Sequence, residues 1–175
     1  MFDEFRDLPL HPLVVHATVV LLPLTAVLGV LFVVPRLRTR LRWPLLAGAA
    51  VSFLLLIVTR LSGEAFKKSL NLGGDAAAAV QRHQELADQL VWIVVAFAVL
   101  TLIAVVATRP TTVPSASQET ETTTKRSGHG GGQTVLAVLV LITAVAVGVQ
   151  TARVGEAGSE AVWNPTGDTN YDTND

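Results

Sequence analysis

Histidine and carboxylate side chains in this sequence gather where long apolar runs begin or end. His11 and His16 lie in LHPLVVHATVV at the start of the first run, His83 stands just ahead of the third, and Glu64 and Glu156 follow the second and fourth. Two or three imidazoles with one or two carboxylates suit zinc, copper or non-haem iron. Histidines from two helices also suit a b-type haem clasped between them. His11, His16 and His83 are therefore the candidate haem or metal ligands, and Glu64 and Glu156 complete a candidate metal cluster, with Glu160 more peripheral. The chain has no cysteine, which excludes disulfides, thiolate ligands, iron–sulfur clusters and cysteine nucleophiles. His129 stands in the glycine tract SGHGGGQ and has no preorganised partner there.

The elements that must carry these residues are membrane spans. Half the residues are apolar and only 15% are charged, and the apolar ones are collected into runs rather than spread along the chain. A helix crossing the hydrocarbon core needs about 20 mostly apolar residues, which the stretches 13–34, 45–61, 90–108 and 134–152 supply or approach. None of the four carries a carboxylate or a lysine. The expected fold class is all-α, an integral membrane four-helix bundle. One membrane domain covers 1–163, with a disordered linker at 109–133, rich in Thr, Ser, Pro and Gly, and a polar acidic tail at 164–175.

Orientation follows from charge. PRLRTRLRW, between the first two spans, holds Arg36, Arg38, Arg40 and Arg42 and no acid, a cluster that stays cytoplasmic. The loop after span two balances Lys67, Lys68 and Arg82 with Glu64, Asp75, Glu85 and Asp88. The reading is a multi-pass protein of the cell membrane with both termini extracytoplasmic, which puts all the candidate ligands on the outer side. MFDEFRDLPL carries three acids against one arginine, so the first span reads as an anchor rather than a cleaved signal.

Depth separates the histidines. In GGDAAAAVQRHQELADQLVW the glycines and Asp75, suited to capping, place a helix start near Ala76, so His83 stands about 10 Å above the apolar boundary, whereas His16 lies about 5 Å below it. With Pro12 at the first helical position, His11 precedes the helix. Were both in one regular helix, five residues would set His11 and His16 about 140° apart. His16 is then the ring that needs a partner inside the bundle.

Small residues recur at Gly48 and Ser52, and at Ala144, Gly148 and Ala152, as in closely packed helices. Trp43, Trp92 and Trp163 lie near span ends, where indoles suit the headgroup region. TRLSGEA and TARVGEA align Thr59, Gly63, Glu64 and Ala65 with Thr151, Gly155, Glu156 and Ala157. Each glycine is placed to end its helix, and the chain reads as two similar helical hairpins, opened by His11 and His83.

LPLHPLVVH, the histidine ahead of span three and a glycine-rich turn ending in AVW after span four resemble the four-helix bacterial membrane proteins grouped as domain of unknown function 2231. The resemblance covers all four spans. It implies a four-helix membrane fold and no defined activity. In the family pattern the last turn often reads Gly-His-x-Gly, where this chain has Gly155, Glu156, Ala157 and Gly158, so a nitrogen ligand is replaced by a carboxylate.

The functional expectation is a metal- or haem-binding redox cluster at the outer helix ends, with the lipid bilayer and a membrane redox partner or a second copy as partners. The alternative is a structural or partner-binding subunit without cofactor. A transporter or proton pathway is disfavoured because, beyond His16, the span interiors hold only hydroxyls and amides such as Thr25, Ser52, Thr101, Thr143 and Gln150. No nucleotide loop, Ser/His/Asp pattern or paired-carboxylate motif is present, and no segment is basic and aromatic enough for nucleic acid.

Overall fold

A computed structural model describes residues 4–5, 8–70, 72–108 and 129–166. Its elements are a two-residue antiparallel ladder, β1 (Glu4–Phe5) with β2 (Leu8–Pro9), followed by α1 (Leu10–Leu31), α2 (Pro35–Ser69), α3 (Gly74–Ala107) and α4 (His129–Trp163). In each of the four helices a segment is long and apolar enough to cross a membrane: His11–Leu31, Pro35–Lys68, Gly74–Ala107 and Gly131–Trp163. The helices pack in the cyclic order α1, α2, α3, α4, with α4 closing back on α1. The fold is an all-α membrane bundle.

Proline chemistry sets the first two helices. Pro35 disfavours the α conformation at Val34, which is extended at φ −74°, ψ 115°, and α1 stops three residues earlier than the apolar pattern predicts. At the other end α1 begins at Leu10, making Pro12 its third residue rather than its first. The first four N–H groups of a helix have no partner within it, so a proline there forfeits no bond. His11 is consequently inside the helix and not ahead of it.

The other three helices outrun their apolar stretches. At 1.5 Å per residue the 35 residues of α2 extend about 50 Å, against a hydrocarbon core of about 30 Å. Gly63 and Gly155 lie within continuous helix, so neither ends one as expected. The residue that does need glycine is Gly74, at φ +58°, behind the cap residue Gly73. Asp75 lies in the first turn of α3, where its charge favours the helix N-terminus, but it is not the cap. The linker expected at 109–133 falls outside the described residues as far as residue 128. Its last part differs from expectation, because α4 starts at His129 and includes the glycine tract. Of the tail, residues 167–175 lie outside the described residues.

Leu22, Leu45, Val94, Phe97, Val140 and Val147 form the centre of the core. Val20, Leu24, Leu54, Ile142 and Val149 are exposed, so apolar residues cover both the inner and the outer face, as lipid requires. Trp43, Trp92 and Trp163 are exposed as well. Close packing uses Gly48, against Thr25, and Gly29, against Ala144 and Phe97. Gly148 has open space where a side chain would stand and Ala152 is exposed, so within the bundle only Ala144 of the α4 stripe is buried.

At the end opposite His11 and His83, the arginine cluster divides. Arg38 turns inward and donates to the carbonyls of Phe32 (3.3 Å) and Val33 (3.0 Å), just past the end of α1, supplying donors to the turn that joins α1 to α2. Arg36 and Arg40 stay exposed.

Candidate functional site

His11 docks on α2. Its Nδ1 lies 3.1 Å from the Thr59 carbonyl oxygen and 3.3 Å from Ser62 Oγ, which itself donates to the same carbonyl. A carbonyl only accepts, so Nδ1 carries the proton and Nε2 keeps its lone pair. The half-buried ring stacks on Phe66, with centroids 6.0 Å apart and planes at 23°.

His83 docks on α4 in the same manner. Its Nδ1 lies 3.0 Å from the Val154 carbonyl oxygen, which fixes the same tautomer. Both acceptors stand four residues ahead of a glycine: Thr59 ahead of Gly63, and Val154 ahead of Gly158. A helical carbonyl points along the axis toward the residue four further on, so a side chain there would crowd the approaching imidazole. A Cβ at Gly63 would lie 2.9 Å from His11 Cε1, and one at Gly158 would lie 3.2 Å from His83 Cε1.

His16 takes the opposite position from the one expected. It is exposed, and its Nδ1 is bonded to the Pro12 carbonyl of its own helix. The reason is helical phase: with His11 inside α1, the five-residue interval turns His16 about 140° away. The inward ring is His11.

The carboxylates do not join the histidines. Glu64 pairs with Arg60 on the same face of α2, and Arg60 also reaches Asp88 of α3 at 2.8 Å. Glu156 is exposed on α4, and its neighbour Arg153 bonds to Gln150 instead (3.3 Å). Glu160 pairs with Arg82 of α3 at 2.8 Å. Among the described residues no group of three or more His, Asp or Glu side chains could hold a metal ion. An open pocket of about 410 Å³ lies at this end, lined by Glu64, Lys67, Lys68 and Gln84.

Several contributors escape a reading of one helix at a time. Gln150, buried in α4, donates to the Leu86 carbonyl at 3.0 Å and to Gln89 at 3.3 Å. Thr18 meets Thr59 at 2.7 Å and Thr25 meets Ser52 at 3.0 Å across α1 and α2. Gly158 carries one detectable signal in the sequence, its repetition of the Thr59 to Gly63 interval with Val154. The TRLSGEA and TARVGEA alignment hides it, being out of register with the docking geometry by three residues.

Four apolar helices closed into a ring, with hydroxyl and amide pairs between them, define a multi-pass helical membrane protein. The family model DUF2231, described as a predicted membrane protein, matches residues 7–169. The chain belongs to that family. No curated relative and no solved structure matches it.

Proposed function

We propose that His11 and His83 hold a metal-containing redox cofactor at the extracytoplasmic face of the cell membrane. The observation supporting this is that each Nδ1 is spent on a backbone carbonyl of the neighbouring helix while Nε2 has no partner among the described residues. Metal-ligating imidazoles have this arrangement, with the far nitrogen fixing tautomer and ring orientation. His16 on the outer face of α1, Glu64 held by Arg60, and exposed Glu156 stand outside this ligand pair. The outward placement rests on the arginines at the opposite end, and the partner is a membrane redox protein that exchanges electrons with the cofactor.

A structural subunit is the second reading, favoured by the same two hydrogen bonds, which by themselves fasten α1 to α2 and α3 to α4. The absorption spectrum and metal content of detergent-purified protein separate the two. The cofactor reading expects a visible band or stoichiometric metal in the parent protein, lost in both His11→Ala and His83→Ala while helical circular dichroism is retained. A parent protein with neither, whose histidine variants lose only thermal stability, establishes the structural reading.

A further inference from the structure

A cationic face stands at the end of the bundle away from His11 and His83. Arg36, Arg38, Arg40 and Arg42 lie in the first turns of α2, while every Asp and Glu of the described helices, Glu64, Asp75, Glu85, Asp88, Glu156 and Glu160, lies toward the other end. Two of the four arginines serve the fold. Arg38 bonds the Phe32 and Val33 carbonyls, and Arg42 reaches the Thr108 carbonyl at 3.5 Å with its guanidinium 5.3 Å from the centroid of the Trp43 ring. Arg36 and Arg40 are exposed and have no partner among the described residues.

Helical spacing puts Arg36, Arg40 and Trp43 on one face of α2. The same exposed stripe continues through Ala47, Val51 and Leu54. Arg40 stands five residues, about 7 Å, outside the apolar stretch that begins at Leu45, which is the depth of the headgroup layer, and Arg36 is one turn further out. From water inward the face runs two cations, an indole and a strip of hydrocarbon. An anionic phospholipid has the matching order of phosphate, glycerol esters and acyl chain.

The helix packs without these cations. An interval of 95 residues carries Leu45, Ser52 and Ser62 of α2 onto Val140, Val147 and Ala157 of α4, all buried. It carries Arg36, Arg40 and Trp43 onto Gly131, Val135 and Val138, exposed and uncharged. The cationic face is thus peculiar to the first hairpin.

We propose that Arg36 and Arg40 hold the phosphate of one anionic phospholipid per chain, with its acyl chain along Ala47, Val51 and Leu54. Guanidinium forks match phosphate oxygens bidentately, and side chains four residues apart on a helix are near enough to bracket one phosphodiester. Arg42 holds the Trp43 indole beside the glycerol esters. The seat is independent of any cofactor at the histidine end.

The test uses full-length protein carrying Trp92→Phe and Trp163→Phe, which leaves Trp43 as its single tryptophan. It is reconstituted in phosphatidylcholine vesicles containing brominated phosphatidylglycerol or, at equal mole fraction, brominated phosphatidylcholine. Bromine quenches an indole that it touches, so quenching reports the lipid beside Trp43. Stronger quenching by the phosphatidylglycerol is expected. That preference should fall about fivefold in Arg36→Gln and again in Arg40→Gln, and stay unchanged in Lys67→Gln/Lys68→Gln at the other end. Both arginines are exposed, so their replacement leaves the core packing and the helical circular dichroism intact. Equal quenching by the two lipids, or a preference that survives Arg36→Gln/Arg40→Gln, overturns the seat. Loss of the preference in millimolar inorganic phosphate makes it a site for a soluble anion and overturns the lipid.

Discussion

Gly63 and His11 are in contact only because Gly63 lacks a side chain: a Cβ there would stand 2.9 Å from His11 Cε1 and 3.2 Å from its Nδ1. The equivalent clearance at Gly158 is 3.2 Å from both Cε1 and Nδ1 of His83. Gly63→Ala must displace its ring, whereas Gly158→Ala asks for a few tenths of an ångström. Alanine also gains about 1 kcal/mol of helix propensity over glycine, which opposes each clash. The expected order in thermal unfolding in detergent is Gly63→Ala well below Gly158→Ala, with the second near the parent. Equal effects would show that the His11 seat is not tight.

Gly29 makes the closest approach in the apolar core. A Cβ would lie 2.8 Å from Ala144 Cβ and 2.9 Å from the Phe97 ring, both in the buried centre. Gly29→Ala is expected to cost about 1–3 kcal/mol by overpacking. Gly148→Ala, on the open side of α4, is expected to be neutral or to gain up to about 1 kcal/mol. Unfolding titrations of the two variants in mixed micelles measure the contrast, and a neutral Gly29→Ala would contradict the α1 to α4 packing.

Thr25 and Ser52 exchange a buried hydroxyl hydrogen bond across α1 and α2. Within membranes such pairs average about 0.6 kcal/mol. A double-mutant cycle with Thr25→Val and Ser52→Ala should return a coupling near that value and below 2 kcal/mol. Zero coupling would place the two hydroxyls apart.

Membrane orientation is open to direct labelling because the chain has no cysteine of its own. Cysteine at Thr166, beyond the end of α4, is expected to react with an impermeant thiol reagent in intact cells. Cysteine at Ser115, between α3 and α4, is expected to react only after permeabilisation. The reverse pattern would move His11 and His83 to the cytoplasmic side.

Apolar run length and the residue before a proline are local properties, and they carry most of the fold. Four spans, the Pro35 boundary and the start of α3 near the paired glycines can all be read along the chain. Helix ends beyond the lipid are less legible, because α2 and α4 continue through Gly63 and Gly155 without any change in hydropathy that obliges them to. The first-turn tolerance for proline was the one local rule that mattered for the site. With Pro12 at the first helical position His11 falls outside the helix and His16 is the inward ring; with Pro12 third, as in α1, His11 is inside the helix and the phase reverses.

By itself the sequence determined that this is a four-helix membrane protein, since burial of apolar runs in lipid depends on length and composition alone, and it placed His11, His16 and His83 near one end of the spans. Tertiary structure decided which histidine stays on its own, His16, and which two dock on a neighbouring helix, His11 and His83. Each imidazole is oriented by a carbonyl and a glycine on another helix, Thr59 and Gly63 for His11, Val154 and Gly158 for His83. The register between helices comes from side-chain packing across their seams, and the pattern along any single helix does not contain it.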